Sequence, residues 1–222
     1  MRFDILFIAL SAVFAAANLF CIIFFYQKTA QFITKIFIVP FLTVFYILSA
    51  NVFLFTVVAA ALLCWAGDIL LVKRRGAIGI SAGVLGGIAA FFCGNICYII
   101  SILHFVSFSK SVCLILAAVA FIFVLLFLAF IPVARAEHIL KIMAAFYGAA
   151  LLTLAFCAVI LFTIYKDAAC AAILAESLCL IVSDLILACS YKNGAGRIAN
   201  FFVMLFYVAA QFCLLTGLVY KQ

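Results

Sequence analysis

The sequence predicts an all-α fold, a polytopic bundle of eight transmembrane helices joined by short loops. Three observations carry that reading. Hydrophobic residues make up 73% of the 222 and charged residues only 9%, with mean hydropathy +1.55, too little polar surface for a soluble domain of this length. The apolar runs are apolar on every face, whereas a membrane β-barrel would alternate apolar and polar residues. The runs also have the length a bilayer demands, since a hydrocarbon core of about 30 Å needs about 20 residues of helix.

On that ruler the spans fall near residues 3–25, 32–49, 51–72, 78–103, 111–131, 139–164, 168–190 and 198–219. The opening "MRFDILFIALSAVFAAANLF" has the form of a signal peptide, with "AVFAAA" as a loose cleavage site. Asp4 in its charged region and the continuation of the apolar run to Phe25 favour a first membrane helix instead. The second and third spans part near Ser49-Ala50-Asn51, the weakest of the breaks. The fourth opens on "GAIGISAGVLGG", with Gly79, Gly83 and Gly87 spaced by four. Such spacing fits a close helix–helix contact, or a bend that opens space for a ligand. The loops "YQKTAQ", "KRRG", "HFVSFSK", "PVARAEH", "YKDA" and "KNGAGR" are short, so consecutive helices are antiparallel neighbours. Residues 1–222 therefore read as a single integral-membrane domain.

The net charge of +7 does not call for nucleic acid, because the basic residues sit mostly between the apolar runs as topology signals. One side carries Lys28, Lys73, Arg74, Arg75, Arg135, Lys141, Lys192 and Arg197; the other carries Arg2, Lys110, Lys166 and Lys221. That bias puts the first set in the cytoplasm and both termini outside, in a multi-pass protein of a bacterial cytoplasmic membrane. The ten cysteines are scattered through the apolar runs, and the nearest pair, Cys93 and Cys97, has helical spacing. They read as small packing residues rather than a disulfide framework. His104 and His138 lie near helix ends without a matching ligand set, so neither metal nor cofactor is expected.

Four ionisable residues interrupt the spans: Lys35, Asp68, Glu176 and Asp184. A charged group at mid-span costs about 2.5–3.5 kcal/mol on insertion scales, so each calls for a reason. Asp68 in "LLCWAGDILLV" precedes Lys73 by five residues, and Asp184 in "LCLIVSDLILA" precedes Lys192 by eight. Lys35 lies about two turns from the first cytoplasmic loop. The three thus share one leaflet and similar depth, while Glu176 lies two turns deeper than Asp184. Polar pairs accompany them: Asn95 with Tyr98, and Tyr207 with Gln211, each on one helix face. Singly, each pair is equally well an interhelical hydrogen bond. Together with the charges they describe a polar cavity open toward the cytoplasmic leaflet. Neither aspartate can face lipid cheaply, which places their carboxyl groups within about 8 Å of one another across that cavity. Two carboxylates and an ammonium in a low-dielectric pocket can divide acid–base work, one group holding a proton while another stays ionised. The plainer reading is a buried salt bridge between Lys35 and one aspartate.

At these residues the chain resembles the YhhN-type lysoplasmalogenases, eight-span membrane proteins, along its whole length. "GDILL" is similar to the family's Gly-Asp motif, "FFCGNICY" to its fourth-helix pattern, "LIVSDLILA" to its Ser-Asp motif, and "YVAAQFCL" to its closing Tyr-x-x-Ala-Gln; "TKIFIVP" matches its second-helix lysine more loosely. Two positions depart from it: Asn95 stands where the family usually has His, and Glu176 where it tends to have a small residue.

The resemblance implies hydrolysis of the vinyl-ether bond of a lysoplasmalogen, a lysophospholipid reached from the membrane lipid. The products are a fatty aldehyde and a glycerophospho-base. Asp68 and Asp184 are then the catalytic pair, either serving as the acid, with Lys35, Asn95, Tyr98, Glu176, Tyr207 and Gln211 around the substrate. Protonation of the β-carbon and stabilisation of the resulting cation suit paired carboxylates. The competing class is a transporter or lipid-binding protein that uses the buried charges for a headgroup or a proton relay. Against it stand the lack of an internal inverted repeat and only two prolines, Pro40 and Pro132.

Overall fold

A computed structural model describes residues 3–25, 28–72, 82–106, 138–190 and 196–221. Among these are seven α-helices: α1 Phe3–Phe20, α2 Lys28–Ser49, α3 Phe55–Val72, α4 Ala82–His104, α5 His138–Tyr165, α6 Ala168–Ser190 and α7 Arg197–Tyr220. A π-helical turn, Cys21–Phe25, extends α1. Six of the helices are long and apolar enough to cross a membrane, and α3 falls just short of that length. The expected span at 111–131 lies outside the described residues, as do Gly76 and Gly79.

The boundaries follow local chemistry. α2 begins at Lys28, one turn earlier than its apolar run, because Lys, Ala and Gln are good helix formers although polar. α3 begins only at Phe55: the chain breaks after Ser49, and the Tyr46 hydroxyl donates to the carbonyl of Val52 (3.2 Å). Pro40 lies inside α2, where it deletes one backbone donor. Membrane helices tolerate this where surrounding groups re-satisfy the freed backbone; two residues before the proline, the Ser11 hydroxyl of α1 donates to the carbonyl of Ile38 (3.0 Å).

The helices cluster into two compact units, Met1–Phe53 with Tyr165–Gln222, and Leu54–Ile164. In the first, α1 pairs with α2 and α6 with α7, and α2 packs on α7. The α1–α2 register is fixed by Ser11 on Ile38 and by Asn18 on Gln31. Phe14 fills the seam between Phe37 and Phe41 (ring centroids 5.1 and 5.4 Å). The α6–α7 register is fixed by the Ser183 hydroxyl on the carbonyl of Val203 (2.9 Å) and by Gly217, where a Cβ would lie 2.9 Å from the carbonyl of Ala169.

In the second unit α3 and α4 pack so closely that glycine is required. A Cβ at Gly94 would stand 2.8 Å from the Cys64 Sγ and 3.2 Å from the carbonyl of Ala60. One at Gly67 would meet the Phe91 ring at 2.8 Å, and one at Gly87 the Leu71 side chain at 2.8 Å. Of the two sequence readings for the fourth-span glycines, the close contact is therefore the one realised at Gly87. The Thr56 and Ser101 hydroxyls share a hydrogen bond across the same seam (2.7 Å). α5 meets α4 through Phe91 with Tyr147 and Phe92 with Phe146.

Candidate functional site

The first unit holds Lys35, Glu176, Asp184, Tyr207 and Gln211. Lys35 does not run along the lipid face toward the headgroups. Its ammonium lies 4.9 Å from the centre of the Tyr207 ring, on the α7 side of α2, and Tyr207 is itself buried. A cation over an aromatic face gains roughly 0.5–1 kcal/mol when exposed and more when desolvated. Asp184 follows Ser183, whose hydroxyl ties α6 to α7, and it is half-buried. The lipid-facing side of α6 is marked by Leu178, Val182 and Leu185, all well exposed.

Glu176 is deeper, with no exposed surface, and neither carboxyl oxygen has a hydrogen-bond partner among the described residues. It shares the stripe Ala169, Ile173, Glu176, Leu180, Ser183 that faces α7. The register set by Ser183–Val203 and Ala169–Gly217 brings it opposite Ala210, beside Gln211. Gln211 is 1% exposed, and its Oε1 is likewise without a partner among the described residues. The fold therefore sets Glu176 and Gln211 at one level, and Lys35 and Tyr207 in contact.

The second unit holds Asp68, Asn95 and Tyr98, each 1% exposed. Asp68 directly follows Gly67, whose missing side chain lets α4 approach. The Ala60–Gly94 and Gly67–Gly87 contacts set Asn95 near Ala60 to Leu63 on α3. That is about two turns, or roughly 10 Å along the axis, from Asp68. Tyr98, one turn before Ser101, thus stands toward the Thr56–Ser101 hydrogen bond, and Asn95 lies between that bond and the level of the aspartate.

Two polar groups escaped the sequence reading. Asn18, 1% exposed, donates from Nδ2 to the carbonyl of Gln31 (2.6 Å) and to the Thr34 Oγ1 (2.8 Å). A lone amide in an apolar run was the available signal, weaker than an ionisable group or a same-face polar pair. At the other end of the unit, the buried Lys221 ammonium donates to the Asp167 Oδ2 (2.8 Å) and lies 3.4 Å from the centre of the Tyr165 ring. The Asp167 Oδ1 accepts from the backbone N–H of Cys170 (2.6 Å), capping α6. The hydrogen bond from Lys221, then that from Cys170, lowers the Asp167 carboxyl from 3.8 to about 2.

Apolar helices with carboxylates, an ammonium and amides held inside them define a polytopic membrane protein built around buried polar groups. Comparison with known proteins narrows this class. The chain matches the YhhN family over residues 30–218, which includes every candidate site residue, and it belongs to that family. No curated protein and no solved structure matches it.

Proposed function

We propose that the chain is a membrane-embedded hydrolase that cleaves the vinyl-ether bond of lysoplasmalogens, with Asp68 and Asp184 as its acid–base pair. The observation that carries the reading is Asp68: a carboxylate 1% exposed, inside an apolar helix, in a chain of the YhhN family. Buried carboxylates of this kind mark functional sites by default, because their insertion is costly. In the mechanism, one aspartic acid donates its proton to the β-carbon of the vinyl ether. The oxocarbenium ion that forms is stabilised by the second, ionised aspartate. Water adds at the α-carbon, its proton returns to a carboxylate, and the hemiacetal collapses to aldehyde and glycerol hydroxyl. No covalent enzyme intermediate is needed. Lys35, over Tyr207, supplies the cation for the phosphate.

Both termini lie outside a bacterial cytoplasmic membrane on this reading, following the basic-residue bias. Fusions of a periplasm-dependent phosphatase to either end would be active only in that orientation. The decisive test of function is purified protein with a lysoplasmalogen, assayed for aldehyde, against the saturated 1-alkyl analogue. Release from the vinyl ether alone supports the reading. No release above that of an Asp68→Asn, Asp184→Asn double variant overturns it.

A second reading has its own support in Glu176 and Gln211, whose acceptors, without partners among the described residues, lie midway along α6 and α7. A proton or cation relay would use such groups. Ion uptake by proteoliposomes, abolished by Glu176→Gln and indifferent to Asp68→Asn, would favour it.

A further inference from the structure

The amide of Asn18 is held in one orientation. Both its N–H groups are committed, one to the Gln31 carbonyl and one to the Thr34 Oγ1. The Thr34 hydroxyl cannot reverse that bond without losing its own, because it donates to the carbonyl of Ala30 (2.7 Å). An exchanged amide would set its oxygen against the Gln31 carbonyl oxygen, acceptor to acceptor. The Asn18 Oδ1 is therefore aimed by its neighbours, and it has no hydrogen-bond partner among the described residues although the side chain is 1% exposed. A buried acceptor left unpaired costs about 1–3 kcal/mol, so a fixed one is suited to a donor that arrives with a ligand. The π-helical turn Cys21–Phe25 begins three residues on, and single π turns gather at functional positions.

The level of Asn18 says which donor. Counted from the neighbouring helix ends at about 1.5 Å per residue, Asn18 and Lys35 each lie about 10 Å in, and Asp184 about 9 Å. Of the helices that carry them, α1 packs on α2, and both α2 and α6 pack on α7, which α1 and its π-helical turn also touch. Across that band stand an aimed acceptor, then an ammonium over Tyr207, then a carboxylate. A lysophospholipid lying in the band has the same order: a basic nitrogen, a phosphate, then the ether-bearing glycerol.

We propose that Asn18 is the receptor for the headgroup nitrogen, its Oδ1 accepting a hydrogen bond from the N–H of a primary ammonium while Lys35 takes the phosphate, so that ethanolamine-type lysolipids are preferred over choline-type. This rests on the lysolipid reading above. A quaternary nitrogen has no N–H and would bury the Oδ1 unpaired. A purely aromatic or electrostatic headgroup site would show the opposite order or none, since ring faces accept quaternary ammonium well.

The test is binding of saturated 1-alkyl lysolipids, which cannot be cleaved, measured by calorimetry in detergent micelles. The headgroups form a series: ethanolamine, N-methyl, N,N-dimethyl and choline. Wild-type protein is expected to bind the first three within about threefold and to lose about tenfold at the last methyl, the scale of one hydrogen bond lost to a buried acceptor. In Asn18→Ala the four should bind alike. A smooth trend with no final step in the wild type, or tighter binding of choline, overturns the proposal. So does a final step that persists in Asn18→Ala. If that variant does not fold, the wild-type series decides by itself. Failure of the hydrolase reading is separate: it would appear as no aldehyde from a vinyl ether, whatever the headgroup series shows.

Discussion

Asp167→Asn should cost more stability than Lys221→Met, although the two residues form one ion pair. The Lys221 ammonium is 2.8 Å from the Asp167 carboxylate, with the lysine 2% and the aspartate 43% exposed. Removing one partner of a fully buried pair costs about 3–5 kcal/mol, because a charge is stranded without water. Here only the lysine is stranded, and the Tyr165 ring at 3.4 Å retains part of its stabilisation. The half-exposed carboxylate was partly screened from the start. Asp167→Asn, which preserves the cap on Cys170, is therefore expected to cost about 2 kcal/mol, reduced from the buried-pair value by that screening. Lys221→Met leaves the aspartate at the water surface and puts a similar apolar stem in the same space, costing about 0–1 kcal/mol. The double variant should match Lys221→Met.

Thermal unfolding in detergent micelles, across this cycle of three variants, measures the asymmetry. Equal losses in the two single variants, or a neutral Asp167→Asn, would refute it. The pH dependence has the same origin. The folded-state value of Asp167 is lowered, so its contribution is complete above the ordinary carboxylate value and is lost as pH falls from about 4 toward about 2. For Lys221 burial pulls its value down, but the hydrogen bond to Asp167 and the proximity of Cys170 outweigh it, and the net shift is upward from 10.5. Its contribution is present below that value and lost as pH rises through the folded-state one.

Asp68→Asn and Asp184→Asn should each lower aldehyde release by at least about a hundredfold with the fold retained, since general acid–base groups act on that scale; full activity in either variant would make its carboxylate structural. Lys35→Met should raise KM for the lysolipid about tenfold, and Lys35→Arg should keep the charge but recover it only in part, because a larger planar guanidinium presents its donors to a phosphate in a different geometry from a compact ammonium; an unchanged KM in both leaves the lysine without a role at the phosphate. Gly217→Ala should destabilise by about 1–3 kcal/mol as overpacking, because its Cβ would lie 2.9 Å from the backbone carbonyl of Ala169; an unchanged melting temperature in the same assay would show that the α6–α7 contact can relax.

The seven described helices were legible because burial in lipid is written on every face of a span; the eighth that length called for, at 111–131, lies outside the described residues. The α3–α4 seam was legible only at Gly87, the one member of the spacing-of-four pattern for which a close approach is seen among the described residues; Gly67 and Gly94, which meet Phe91 and Cys64, lie outside that pattern. The start of α2 was not, because hydropathy cannot see a polar turn that is helical anyway. Nor was the Asp167–Lys221 pair, whose members stand 54 residues apart in a chain where both look like loop charges. Glu176 could be read as buried but not as unpaired, because pairing depends on which residue of α7 comes opposite, and the register is fixed by Ser183 and Gly217. For Lys35 the sequence showed the depth it shares with the aspartates but not its neighbour, which is the ring of Tyr207 on α7.

The polar groups of the first unit divide by whether their bonds are complete. At the α6 N-terminus and α7 C-terminus, Asp167 meets Lys221 and Cys170 with both oxygens, and Lys221 meets Tyr165 as well. Such a set ties the last residues of α7 to the start of α6 and gains nothing from a ligand. Deeper in the unit, Asn18, Glu176 and Gln211 each keep at least one acceptor without a partner among the described residues, although each is almost wholly buried. Burial without pairing is unfavourable in a static helix pair, and an apolar residue of similar size at Glu176 or Gln211 would relieve it. A completed pair at one end and unpaired acceptors farther along the same helices thus separate a structural tie from groups held for exchange. The two kinds of variant should separate in the same way. Changes at Asp167 should move the melting temperature and leave turnover nearly as it was, while apolar changes at Glu176 or Gln211 should leave the melting temperature level or higher and move substrate binding; Asn18, whose amide also ties α1 to α2, should move both.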